Sequence, residues 1–254
     1  MKRKPTLRLV RDSFPDAPVL DAAVARALLE RVSIGELSET LRLARPGPMV
    51  AFAKQDANAG GYADAAAAAR ERGFEAVLRL AGGRAAVFHE GTLVLGHAVP
   101  DDDPRARIHE RFRFESSLVV SALRRLGVDA QVGEVAGEYC PGGYSINAQG
   151  RVKLAGFGQR LIAGATHVGA VIVCSGSSRV IEPLVPVYER LGLSWDPATA
   201  GSVVDEVRGA GLEQVEEALV AEYERHFSLE PASLDPETLA LARRHAAEHR
   251  VPAA

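Results

Sequence analysis

The stretch EYCPGGYSIN, residues 138–147, places Cys140 directly before a Pro-Gly-Gly turn. The thiolate is the nucleophilic form of cysteine, and at an ordinary pKa near ~8.5 only a small fraction is ionised at neutral pH. A neighbouring cation or a group of free backbone N–H donors raises that fraction, and the turn at Pro141, Gly142 and Gly143 can present such donors. Further along, Lys153 interrupts the apolar run RVKLAGFG, and Gly156 and Gly158 leave the backbone beyond it bare. Two readings of each residue stand at this level. Cys140 is an activated nucleophile or an incidental exposed thiol; Lys153 points into a cavity or guards a sheet edge.

A third segment, RLAGGRAAVFHEGTL at 79–93, sets Gly82 and Gly83 between Arg79 and Arg84. Paired glycines let backbone approach a ligand and leave N–H groups free for an anion, but they serve equally as a turn or bulge beside solvated arginines. His89 and His167 are the candidates for base work, and each also fits a hydrogen-bonded structural place. Cys174 closes the apolar run VGAVIVC and reads as a small core residue. The spacing of Cys and His gives no metal site, and neither a phosphate-binding P-loop nor a serine nucleophile elbow is present.

The elements that must hold these residues follow from periodicity. Leu20, Val24 and Leu28 mark a helix over 18–32. Strands follow at 40–44 and 49–53, split by Pro-Gly-Pro, and an Ala-rich helix over 62–73 ends at Gly73. The segment after it reads as strand, Gly-Gly break, strand, tight turn at 89–91 and strand, most simply a β-hairpin. A long helix over 105–126 and a short strand within 129–137 precede the Cys140 loop; strands at 151–161 and 165–174 follow it. The last third is read as mostly helical, over about 179–191, 211–226 and 236–249. Strands in the middle with helices at the ends make the fold class α+β, with a helical C-terminal segment.

With 30 basic and 33 acidic residues the formal charge is −3, which provides no whole-chain attraction to nucleic acid or an anionic membrane. No run approaches the roughly 18 apolar residues of a membrane span. Two cysteines without a Cys-x-x-Cys spacing suit a cytoplasmic protein with reduced thiols. The basic start MKRKPTLRLV lacks an apolar core and is expected to be a flexible leader over 1–15. A catalytic domain over 16–230 and a helical tail over 231–254 complete the expected organisation.

In this order, RLAGGRAAVFHEGTL, YCPGGYSINAQGRVKLAGFGQR and ATHVGAVIVC resemble the lipoate–protein ligase and octanoyltransferase family over roughly residues 35–230. The family shares its catalytic domain with the biotin–protein ligases. Its arginine-glycine-glycine motif falls on Arg79, Gly82, Gly83 and His89; its lysine strand on Lys153, Ala155, Gly156, Gln159 and Arg160; its histidine-glycine strand on His167 and Gly169. A Cys-Pro-Gly loop just before the lysine strand looks most like the cysteine-dependent transferase branch. Leu80 and Glu90 stand where ATP-using members carry a second arginine and an aspartate, and Arg84 falls among their glycines.

The resemblance implies a central mixed, largely antiparallel sheet flanked by helices. It implies that Cys140 carries an octanoyl or lipoyl group as a thioester, that Lys153 stabilises the oxyanion, and that His167 helps deprotonate the incoming amine. Arg79, Gly82, Gly83, Arg84, His89 and Gly156 would bind substrate, and Val87 and Leu93 would line an acyl tunnel. A transferase needs no cofactor. The alternative is a lipoate–protein ligase using ATP and Mg, with Lys153 and Arg79 on an adenylate and Cys140 a bystander. A third reading is a binding module without chemistry. The implied partners are lipoyl carriers, namely the glycine-cleavage H protein or E2 lipoyl domains, with acyl carrier protein as a donor. Arg151, Arg160 and Arg179 are the expected docking charges.

Overall fold

The centre of the structure, a computed structural model that describes residues 3–252, is a run of long strands. β9 (Val152–Ile162) and β10 (Ala165–Val173) form a hairpin through Gly164, and β10 pairs on its other edge with β6 (Thr92–Pro100). The sheet grows outward from these to eight strands. On one side lie β2 (Thr40–Ala44), β1 (Thr6–Val10) and the edge strand β11 (Ser228–Ala232); on the other lie β8 (Ile146–Ala148) and β7 (Ala130–Val132). β1 pairs in parallel with β2 and β11, and every other pairing in this sheet is antiparallel. A second sheet has β3 (Met49–Phe52) between β4 (Glu75–Leu78) and β5 (Ala86–Phe88). The expected α+β class and mixed, largely antiparallel sheet are what the chain adopts.

Strand alternation sorts the large sheet into two faces. Leu41, Leu43, Leu93, Leu95, Ala170 and Ile172 share one face and are buried against α4 (Ile108–Arg125) and α7 (Leu212–His226). Each fully buried leucine there contributes about 2 kcal/mol. The small sheet buries Val50, Phe52 and Ala76 against the alanine stripe of α3 (Tyr62–Glu71) and against α5 (Ser177–Arg190). α1 (Pro18–Ser33) packs on α8 (Pro236–His249), tied by Arg31 to Asp235 and Glu30 to His245. Two single-turn helices, α2 (Lys54–Ala57) and α6 (Val203–Glu206), complete the elements. No helix of the described residues is long and apolar enough to cross a membrane.

Three expectations need correction. β5 and β6 are not a hairpin: β5 pairs with β3, whereas β6 pairs with β2 and β10. The turn between them is closed by Thr92, whose hydroxyl and backbone both bond His89, and it hands the chain from one sheet to the other. Residues 6–10, read as part of a flexible leader, are β1; Leu7, Leu9 and Val10 are buried. The boundary read at 230/231 falls inside β11, an edge strand that alternates too weakly to stand out from the helical segments around it.

Candidate active site

Cys140 sits in the loop between β7 and β8 with φ of 43°, a left-handed conformation that a side chain bearing Cβ adopts only when its surroundings hold it there. They do so from three sides. Its N–H donates to the Tyr188 hydroxyl at 2.8 Å, which in turn donates to the Ala85 carbonyl. Its carbonyl accepts from the Lys153 ammonium at 2.8 Å. Its sulfur accepts from the Arg84 N–H at 3.1 Å and from Arg79 Nη2 at 3.5 Å. Gly83, with φ of +105°, makes that approach possible: a Cβ there would stand 2.9 Å from Sγ and collide with the Arg79 guanidinium.

Burial alone opposes ionisation of this thiol. The charge of Arg79, then that of Lys153, then the Arg84 N–H outweigh it, and the thiol is held below its ordinary range. Cys174 is the contrast: it lies in the core behind β6, and burial pushes its thiol up to about 12.

Lys153 is 1% exposed and spends all three of its donors inside the protein. They go to Glu138 Oε1 at 2.9 Å, the Tyr139 carbonyl at 2.9 Å and the Cys140 carbonyl, with the Tyr139 ring 4.9 Å away. A register shift between Ile146 and Asn147 on β8 breaks the alternation at the head of β9 and turns Lys153 toward the loop. Glu138 is equally saturated, accepting from Ser145 and from the backbone of Val135 and Gly142. The expected oxyanion donor is thus the anchor of the cysteine loop, and it does not face the sulfur.

Beside Cys140 opens an apolar cavity of about 850 Å³ including its mouth. It lies between the second face of the large sheet and the small sheet with α1. Arg79 and Gly156 stand at the end next to Lys153; Leu28, Phe88, Val94 and Ala98 form its walls.

The structure gathers Cys140, Arg79, Gly83 and Arg84, with Gly82 exposed above Gly158 and Gly156 against Lys153 Cε. Val87 and Leu93 do not line the cavity. They are one residue out of phase: Phe88 and Val94 face it, while Val87 and Leu93 belong to the two cores. His89 is buried in the turn, where its Nδ1 accepts from the Gly91 N–H at 3.0 Å and burial lowers its pKa. His167 lines the far part of the cavity and is pushed down to about 4 by burial and by the charges of His97 and Arg42; none of these is a Cys140 neighbour, so its expected role as base at the sulfur is corrected. Arg151 is paired with Glu206, Arg179 lies over Phe74 near Glu90, and Arg160 is exposed. Glu138 and Tyr188 were missed. A buried lysine demands a counterion, and Glu138 is the acid two residues before Cys140.

A family model for the lipoyl protein ligase A/B catalytic domain matches residues 18–224. Similar curated proteins are octanoyl-GcvH:protein N-octanoyltransferases. That of Geobacillus kaustophilus is 27% identical over 75% of this chain and 68% of its own length. That of Anoxybacillus flavithermus is 32% identical over 59% and 54%, and that of Bacillus velezensis 29% over 69% and 63%. The chain thus spans between about half and two thirds of the relatives it matches. Among solved structures, lipoate-protein ligase A bound with ATP superposes with a TM-score of 0.77 at 20% identity, covering 95% of this chain and 94% of that one. Ta0514 of Thermoplasma acidophilum with bound lipoic acid gives 0.76 at 21%, covering 95% of each. The fold agrees with these, the matched segment includes Cys140, Lys153 and His167, and the chain belongs to the lipoyl protein ligase A/B catalytic domain family.

Proposed function

We propose that the chain transfers an octanoyl or lipoyl group to a lysine of a lipoyl carrier through a thioester on Cys140. The observation that carries this reading is the sulfur itself: held by Arg84 N–H and Arg79, depressed in pKa, and set at the mouth of an apolar cavity. The thiolate adds to the carbonyl carbon of a carrier-bound acyl thioester or amide. The C–S bond to Cys140 forms, the bond to the carrier breaks, and the carrier thiol or amine leaves with a proton. The acceptor lysine amine then attacks the thioester, the C–S bond breaks, the thiolate returns and the amine proton passes to solvent. Aminolysis of a thioester runs downhill, so this half needs no ATP.

Arg79 is the donor we assign to the oxyanion. Its Nε is buried and without a partner among the described residues, and its side chain lines the cavity. One such donor in a dry site contributes about 3–4 kcal/mol to the transition state. Lys153 holds the loop and adds charge. With every donor engaged it leaves none for an adenylate phosphate, which favours transferase over ligase. A lipoyl carrier of the glycine-cleavage H or E2 type is the partner this implies. The relatives' names carry octanoyl-GcvH, and an archaeal bipartite lipoate protein ligase of similar fold was described with its E2 lipoyl domain. Such carriers and two reduced thiols place the enzyme in the cytoplasm.

Incubation with an octanoylated carrier should add one octanoyl group to the chain, detected by intact mass and removed by hydroxylamine, and Cys140→Ser should abolish both adduct and transfer. Full transfer by Cys140→Ser with a requirement for Mg and ATP means a ligase; acyl binding with no transfer to any carrier means a binding module.

A further inference from the structure

The cavity ends on a histidine. On β10 the residues facing it are Val171, Gly169 and His167, and the register fixes their neighbours: Val171 lies opposite Gly156, and Gly169 opposite both Gly158 of β9 and Gly96 of β6. At about 3.4 Å per residue, the His167 backbone stands roughly 13 Å along the strand from the Gly156 level. Its ring leans back from there. A Cβ on Gly169 would be 2.9 Å from Nε2, and one on Gly96 would be 3.0 Å from Cε1. The two glycines, side by side across β6 and β10, clear the bed on which the imidazole lies.

The residue is 7% exposed, lines the cavity, and among the described residues makes no side-chain hydrogen bond. Next to it the Arg42–Asp21 ion pair, with side chains 5% and 3% exposed, closes the same end. Arg42 lies opposite Gly96 on β2, and its other donors go to the Asp12 and Asp21 carbonyls. The space from Gly156 to the ring is roughly 10 Å, the extended length of an eight-carbon chain. Further methylenes would have to push the ring against a buried charge pair that has no freedom to leave its partner.

We infer that His167, seated on Gly96 and Gly169 and backed by Arg42 and Asp21, is the end wall of the acyl cavity and limits the accepted chain to about eight carbons. This rests on the acyl-transfer reading above, in which the cavity holds the chain whose carbonyl is at Cys140. Neutral N-methyl alkanamides of six, eight, ten and twelve carbons test it by calorimetric binding to Cys140→Ser, which cannot form the thioester. Affinity should rise roughly tenfold per two methylenes up to eight carbons and then fall. His167→Ala in the same background should move the optimum to ten carbons or beyond. Gly96→Ala, which lifts the ring into the cavity, should move it to six.

An optimum unmoved by His167→Ala, or no binding of any amide, overturns the end-wall role. The transfer reading is judged separately, by the octanoyl adduct on the unmutated chain. An adduct with an unmoved optimum removes the wall and keeps the transferase. A shifted optimum without an adduct keeps the wall and removes the thioester.

Discussion

The Lys153 ammonium lies 2.8 Å from the carbonyl oxygen of Cys140, while the sulfur of the same residue is held from the other side by the Arg84 N–H. One residue is thus gripped at both ends by different strands of the fold. The ion pair between Lys153 and Glu138 is what keeps the left-handed loop conformation in place.

Breaking that pair should be costly in a particular way. Lys153→Met leaves the Glu138 carboxylate buried without its cation, and Glu138→Met leaves the ammonium, so each single substitution should cost about 3–5 kcal/mol of unfolding free energy. The double substitution removes both charges and should cost clearly less than the sum, with a coupling of about 2 kcal/mol or more. Denaturant unfolding of the four proteins measures it. Strictly additive losses would show that the two side chains act independently, against the anchoring role. Acylation of Cys140 should fall in all three variants, because the loop loses its hold even where the fold survives.

Alkylation of the thiol reads its electrostatics directly. Cys140 should react with iodoacetamide at a lower pH than an ordinary cysteine, since its pKa is lowered by Arg79, Lys153 and the Arg84 N–H despite burial. Arg79→Gln removes the first of these charges and should shift the pH–rate profile upward. Cys174, pushed the other way, should stay unmodified while the fold persists. Gly83→Ala should also act here, because its Cβ would press on Sγ and Arg79; misplacing the two by about 1 Å is enough for a loss on the order of 100-fold in acylation. Peptide mapping of the alkylated protein across pH checks each case. A profile for Cys140 at or above that of a free thiol would sink the activated-nucleophile assignment.

What could be read from residue types alone was the chemistry that is local in sequence. The Cys140 loop and the Arg79–Arg84 segment each announce themselves by glycine and charge, and the α+β class followed from periodicity. What could not be read was direction. Alternation tells that Val87 and Phe88 face opposite ways, but not which way is the cavity, and the tunnel residues were placed one position off. The hairpin expectation failed for a related reason: a tight turn at 89–91 looks the same whether its strands pair with each other or part into two sheets. Lys153 was recognised as unusual, yet its counterion belongs to the loop rather than to its own strand, and only the register shift on β8 brings them together.

A second buried charge cluster, on the opposite face of the sheet from the cavity, should govern stability against alkali. His97 Nδ1 is 2.6 Å from Glu115, its Nε2 lies 3.0 Å from Glu39 off the hydrogen-bond line, and Tyr223 donates to Glu115 from α7. Burial opposes the imidazolium, but the two carboxylates prevail and raise its pKa from the ordinary 6.5 to about 9. A group whose folded pKa is raised stabilises the fold fully below its unfolded value and loses that stabilisation as pH climbs through the folded one. The contribution is about 3 kcal/mol, present below pH 6.5 and gone above about pH 9. Thermal unfolding followed across that window should show the midpoint falling, with pH 9 and beyond clearly less stable. His97→Gln should lower stability at the acid end and flatten the slope, because its amide no longer titrates. A slope that persists unchanged in His97→Gln would assign the alkaline loss to another group and leave His97 without the role.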